Sequence, residues 1–310
     1  MIALLAPGQG AQTPGMLAPW LEDPVAEETI ARWSDAIGLD LRRLGTTAGA
    51  DEIKDTAVTQ PLVVASALLA AERLAALLDL PAAAPVAGHS VGELAAAAVA
   101  GVLPPDAAVA LAAVRGREMA AACALEPTGM SAVLGGKPDD VVAALTGLGL
   151  DPANRNGAGQ IVAAGPLPAL SALGEAPPEG TRVIALPVAG AFHTRFMAPA
   201  EEAMRSHAET VSVTDPVRPL LSNADGAVVT DGAEALRRLV AQVTRPVRWD
   251  SCMAGLRELG ITAVIELPPA GTLVGLVKRE LKGTATLALK TPDQLGKAVD
   301  MITEHAGAEK

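Results

Sequence analysis

Val86-Ala87-Gly88-His89-Ser90-Val91-Gly92-Glu93, followed by an alanine-rich run over residues 94–100, decides the fold class. A short apolar run stops at a Gly-x-Ser-x-Gly turn, and a helix-forming stretch begins at once. That is strand, sharp turn, helix. Such a turn sets a serine hydroxyl at the carboxyl edge of a sheet, with the free backbone N–H groups of a helix N-terminus behind it. The flanking glycines relieve the crowding the turn creates. The same residues carry a plainer reading. Ser90-x-x-Glu93 is a capping-box pattern, in which Ser90 only starts a helix and Glu93 closes its first turn. A cap requires neither glycine, however, and Gly92 in a helical turn costs about 1 kcal/mol relative to alanine. Both readings hold together if Glu93 supports the turn that presents Ser90.

Upstream of the turn, residues 2–6 form an apolar run ending in Pro7-Gly8-Gln9-Gly10-Ala11-Gln12, read as a buried strand leading into a glycine-rich loop. Residues 16–45 read as amphipathic helical pieces, and residues 61–80 as a long helix broken by Pro81 and Pro85. Downstream, Pro104-Pro105-Asp106 opens a helix running to about Cys123. The pattern then changes. Residues 130–134, 150–156, 161–164 and 182–187 read as strands, with helices over 138–145 and 168–173. This β-α-β-β-α-β order is the ferredoxin-like unit. Strands over 217–221, 228–229 and 263–267 follow, with helices over 199–210, 231–243, 249–259 and 271–281. Alternating strands and helices predict a mostly parallel sheet covered on both faces. The expected organisation is a large α/β domain over 1–125 and 190–310, interrupted by a small ferredoxin-like subdomain over 126–189.

Composition narrows the function. Half of the 310 residues are hydrophobic and 19% are charged, a packing composition and not a disordered one. Aromatics are 2% and tyrosine is absent, so the core must be aliphatic and one type of general acid is removed. A net charge of −11 argues against nucleic acid and against an anionic membrane surface as partners. Cys123 and Cys252 form no CxxC pair, so neither a zinc site nor a disulfide framework is expected. Residues 1–7 lack the basic and long apolar regions of a signal peptide, and a cytoplasmic protein is expected.

A serine hydroxyl needs a base. Four histidines are present. His89 adjoins the serine and should point away from it. His207 lies on a charged helix face, and His305 in a polar tail. His193, in the apolar segment Gly190-Ala191-Phe192-His193-Thr194, is the best base by elimination; the alternative is a satisfied loop histidine. The N–H of Val91, just after the nucleophile, is the natural oxyanion donor, and the loop Gly8-Gln9-Gly10 offers a second. A phosphate cradle at that loop is disfavoured, because no Gly-Lys-Ser/Thr follows. Arg115 and Arg117 point about 200° apart on one helix, so at most one faces the site. A buried arginine there would capture a carboxylate; from spacing alone a surface or packing role is favoured.

Together these segments resemble the malonyl-CoA:acyl-carrier-protein transacylase family. The resemblance runs through Gly-Gln-Gly-Ala-Gln (8–12), Gly-His-Ser-Val-Gly-Glu (88–93), Arg-Gly-Arg-Glu-Met (115–119), Asn-x-Asn-x-x-Gly-Gln (154–160), Gly-Ala-Phe-His (190–193), Gln-Val-Thr-Arg-Pro-Val-Arg-Trp (242–249) and Glu-Leu-Pro-Pro (266–269). It implies an α/β-hydrolase-like large domain with the ferredoxin-like insert. It also implies transfer of malonyl from malonyl-CoA to the phosphopantetheine thiol of an acyl carrier protein, in fatty-acid or polyketide synthesis, with no metal and no resident cofactor. Ser90 would be acylated, with His193 as base, oriented by the backbone carbonyl of Gln242. Gln9 and Val91 would hold the oxyanion and Arg115 the malonyl carboxylate. Asn156 would line the pocket, and Phe192 marks the malonyl-selecting form. Glu-Leu-Pro-Pro departs from the usual Glu-x-Gly-Pro. Two rivals stand beside this reading: a serine esterase or thioesterase, which should show an acidic triad member, and a non-catalytic carrier-docking module.

Overall fold

A computed structural model describes residues 1–306 as a mixed α/β protein with two sheets. The larger sheet has the order β11-β10-β1-β2-β7-β8. Its strands are β1 (Ile2–Ala6), β2 (Val86–Gly88), β7 (Leu220–Leu221), β8 (Val228–Val229), β10 (Ala263–Glu266) and β11 (Ala285–Ala288). All neighbours are parallel except β7 and β8. Every residue of β1 is buried. Ile2, Leu4 and Ala6 enter one apolar cluster, and Ala3 and Leu5 enter another on the opposite face. A strand covered on both sides has no reason to alternate in polarity, which is why it reads as an unbroken apolar run.

The smaller sheet has the order β6-β3-β5-β4-β9. It comprises β3 (Thr128–Gly135), β4 (Asp151–Gly157), β5 (Gln160–Pro166), β6 (Thr181–Ala185) and β9 (Val247–Arg248). The first four strands are antiparallel and enclose their own apolar cluster with the helices Pro138–Gly147 and Leu167–Glu175. The β-α-β-β-α-β order expected for this stretch is therefore present. Strand β9, from outside that stretch, pairs parallel with β4 and extends the smaller sheet by one strand.

Three local expectations need correction. The first long helix spans Thr56–Ala75, not 61–80. The Asp55 carboxylate caps it by accepting from the Ala57 N–H at 2.8 Å, and Pro61 sits inside it. The helix closes at Ala75, with the Ala76 N–H donating to the Glu72 carbonyl, and Leu78 and Leu80 then pack against the core from outside the helix. The helix is apolar and long enough to cross a bilayer, but it is a core element here, with most of its length buried. The strand expected over 217–221 is limited to Leu220–Leu221, with Val217 exposed. β11 and the helix Leu295–His305 were not expected, and His305 closes that helix beside Thr262 instead of lying in a tail.

Candidate active site

The register of β1 against β2 sets Ala6 opposite Gly88, and the His89 N–H donates to the Ala6 carbonyl at 3.0 Å. The chain ends of both strands therefore meet, bringing the loop after β1 against the turn that carries Ser90. The glycines are sterically required. A Cβ on Gly88 would collide with the Gly92 carbonyl, and one on Gly92 with the Ala6 carbonyl. Ser90 itself is left-handed, at φ 55°. A non-glycine residue held there is strained, and the surroundings must enforce it. Asn223, at the end of β7, does so. Its Oδ1 accepts from the Ser90 N–H at 2.8 Å, and its Nδ2 donates to the Gly88 carbonyl at 2.7 Å. The plain N-cap reading of Ser90 fails on this geometry. The helix Gly92–Val99 has no side-chain cap, and the Glu93 carboxylate turns instead to the Asn223 N–H at 2.6 Å and to the Gln242 amide.

Ser90 Oγ lies 2.7 Å from His193 Nε2. The His193 backbone is also left-handed, at φ 62°. Its loop is held by the Ala191 N–H on Thr128 Oγ1 at 3.0 Å and by the Thr194 hydroxyl on the Ala191 carbonyl at 2.6 Å. His193 Nδ1 is 2.8 Å from the Gln242 carbonyl. A carbonyl only accepts, so Nδ1 carries the proton and Nε2 is free to accept from the serine. The orienting group is thus a backbone oxygen and not a carboxylate.

Arg115 is 2% exposed. It donates to Gln60 Oε1 at 2.7 Å, to Gln242 Oε1 at 2.9 Å and to Ser90 Oγ at 3.3 Å. Arg117 points away and pairs with Glu118 at the surface. Gly116 between them allows close approach of the helices: a Cβ there would stand 2.7 Å from the Thr56 carbonyl. Burial shapes the charges. It pushes His193 down to about 3, helped by the Arg115 charge and opposed by the Gln242 carbonyl. It pulls Arg115 down to about 10, opposed by Glu93.

These groups open on a cleft of about 460 Å³ between the two sheets. Gln9, Phe192 and Asn156 line it, as do Met130 and Val162 of the smaller sheet. Asn156 Oδ1 lies 2.9 Å from His89 Nε2, so His89 faces the smaller sheet and not the serine hydroxyl. The Val91 side chain is buried behind the turn, at 1% exposure. Among the described residues, neither the Gln9 nor the Val91 N–H has a protein acceptor.

Residues 4–303 match the family model described as an acyl transferase domain. The malonyl CoA-acyl carrier protein transacylase of Mycobacterium tuberculosis (strain ATCC 25618 / H37Rv) is 59% identical over 302 residues, covering 97% of this chain and 100% of that protein. This chain belongs to the malonyl-CoA:acyl-carrier-protein transacylase family. The crystal structure of MCAT from Mycobacterium tuberculosis superposes with a TM-score of 0.92 at 58% identity, covering 96% of this chain and 99% of that one. A malonyl-transacylase solved in complex with a type II PKS acyl-carrier protein gives 0.88 at 30% identity, covering 97% and 99%.

Within this transacylase fold, sequence reasoning missed two supports. Asn223 follows a two-residue strand and carries no motif; only the neighbouring position of β7 beside β2 brings it under the turn. Gln60 lies near the start of its helix on a buried face, and an amide in an otherwise largely apolar helix was the available signal. Gln242 was expected for its carbonyl alone, yet its side chain is also engaged.

Proposed function

We propose that this protein transfers malonyl from malonyl-CoA to the phosphopantetheine thiol of an acyl carrier protein, by a ping-pong route through a malonyl-Ser90 ester. The observation that carries the reading is the contact of Ser90 Oγ with His193 Nε2 at 2.7 Å, with the Arg115 guanidinium 3.3 Å from the same oxygen. A nucleophile, a base and a buried cation at one point suit an acyl group that bears its own carboxylate.

In the first half-reaction Ser90 Oγ attacks the thioester carbon and its proton passes to His193 Nε2. The Nδ1–H stays on the Gln242 carbonyl and stabilises the imidazolium that forms. The carbonyl oxygen, now negative, accepts from the Val91 and Gln9 N–H groups, whose lack of another acceptor leaves them available. The carbon–sulfur bond breaks, and coenzyme A leaves with the proton from Nε2. In the second half the carrier thiol gives its proton to His193 and attacks the ester, and Ser90 leaves and is reprotonated. Arg115 holds the malonyl carboxylate. Phe192 and Asn156 shape the cleft around the acyl group. Thioester exchange needs only these groups, so the reading invokes no metal and no resident cofactor. Malonyl-CoA and the carrier protein are the partners, with no role for nucleic acid or membrane, in the cytoplasm, serving fatty-acid and polyketide synthesis.

The architecture is read in the same terms: an α/β-hydrolase-like domain over 1–125 and 190–310, with a ferredoxin-like subdomain over 126–189. The strand order β6-β3-β5-β4 and the mostly parallel larger sheet support that division.

The test is incubation with malonyl-, methylmalonyl- and acetyl-CoA, then mass mapping of the modified residue and assay of transfer to a carrier thiol. A malonyl adduct on Ser90 that passes to the thiol is expected. Release of free malonate as the main product would make the protein a hydrolase.

A further inference from the structure

Arg115 and His193 act on opposite ends of the acyl group, yet their supports converge on Gln242. The Gln242 backbone carbonyl accepts from His193 Nδ1 at 2.8 Å, while its side-chain Oε1 accepts from Arg115 at 2.9 Å. The same amide donates through Nε2 to the Ser90 carbonyl at 3.1 Å and to the Glu93 carboxylate. A carboxamide has one donating and one accepting side, and a flip would turn Nε2 toward the guanidinium, donor against donor. Glu93 decides which side faces which neighbour. Both its contacts, the Asn223 N–H on Oε1 and the Gln242 amide on Oε2, are donations to the carboxylate. It is 5% exposed and does not line the cleft.

We infer that Glu93 is a positioning residue for acyl selectivity: by fixing the Gln242 carboxamide it sets the direction in which Arg115 presents its guanidinium to the carboxylate of a malonyl group. The inference rests on the proposed function. Burial works against the ionised Glu93 and raises its carboxyl, while the Asn223 N–H, the Gln242 amide and the charges of Arg115 and Arg238 favour the carboxylate that both contacts require. An apolar residue of similar volume would suit a purely structural position better. Gln60 completes the aim by accepting from the other guanidinium nitrogen at 2.7 Å. Malonyl transfer depends on this aim, whereas acetyl transfer, which has no carboxylate to place, depends on it little.

Glu93→Gln tests the relay. The new amide must turn its NH₂ toward one of two donors, so Gln242 or Asn223 loses its acceptor. Acylation of Ser90 is measured with malonyl-CoA and with acetyl-CoA, alongside thermal melting. The expected result is a fall of about tenfold in kcat/KM for malonyl-CoA, mainly through KM, with less than about threefold loss for acetyl-CoA. A parallel loss with both donors, or an unchanged ratio, overturns the inference. If Glu93→Gln does not fold, Glu93→Asp carries the same test, because it keeps the charge but withdraws the carboxylate by about 1.5 Å, one carbon–carbon bond. Absence of a malonyl adduct in the unmodified protein would instead sink the proposed function. An adduct present with an unchanged ratio in the variant sinks only the role of Glu93.

Discussion

The two walls of the cleft are built on different principles. On the larger-sheet side, polar groups lie inside the protein and bind one another: Arg115 to Gln60 and Gln242, Glu93 to Asn223 and Gln242, His193 to a carbonyl. Each is aimed by a partner that is itself buried, so little reorganisation is needed when charge develops. The smaller-sheet wall is a surface of Met130, Ala132 and Val162 with the amides of Asn154, Asn156 and Gln160 among them. It touches the nucleophile turn through the Asn156–His89 contact at 2.9 Å. On the proposed function, the difference assigns chemistry and charge selection to the first wall, and fit to the second. Substitutions on the two sides should therefore fail in different ways.

The largest effect is expected at the centre of the first wall. Ser90→Ala should form no malonyl adduct by intact mass and lose about 10⁴-fold or more in transfer rate, as removal of a serine nucleophile does elsewhere. An adduct in that variant would move the nucleophile to another residue and dissolve the comparison. Arg115→Ala should follow. Loss of a charged hydrogen bond to the acyl carboxylate is worth about 1.5–3 kcal/mol, or roughly 10- to 100-fold, and should fall on malonyl far more than on acetyl transfer. Rates measured with both thioesters decide this, and equal losses would make Arg115 a packing residue.

How far each wall was legible in the sequence follows from the same distinction. The turn was readable because Gly88, Ser90 and Gly92 are adjacent and their steric need is local. The covered strand Ile2–Ala6 and the β-α-β-β-α-β order were readable because they are patterns of periodicity. Arg115 could be told from Arg117 only as far as helical geometry allows; which of the two faces inward depends on the packing of Thr56–Ala75 against Pro105–Cys123. Asn223 and the side chain of Gln242 were not legible. They act on residues more than 120 positions away, at |i−j| of 133 and 152 from Ser90, and no local pattern marks them. The helix Thr56–Ala75 starts upstream of the expected Pro61 because the Asp55 cap, and not the proline, opens it.

A smaller effect is expected on the second wall. Asn156→Ala removes the acceptor of His89 Nε2 and the donor to Gln160 Oε1 at 2.9 Å. Loss of a neutral hydrogen bond is worth about 0.5–1.5 kcal/mol, so acylation should slow by about 3- to 10-fold, and alike for malonyl- and acetyl-CoA. A change in the ratio of the two rates would show that the fitting wall also reads charge.

The smallest expected effect is the pH response of the base. An exposed histidine protonates near 6.5 and would lose its accepting Nε2 as the pH falls through that value. Burial and the neighbouring Arg115 charge hold His193 down to about 3. Its imidazole therefore stays neutral through the physiological range, and the rate of Ser90 acylation should not fall across pH 6.5 on its account. Stability behaves differently. The unfolded chain takes up a proton on this histidine below 6.5 while the folded ring does not. The contribution present above 6.5 is therefore withdrawn as the pH falls toward 3. Acylation rates and melting temperatures over the same pH series separate the two. An acid limb in the rate with a midpoint near 6.5 would mean that the ring is reached by water in solution and that the first wall is less closed than its contacts imply.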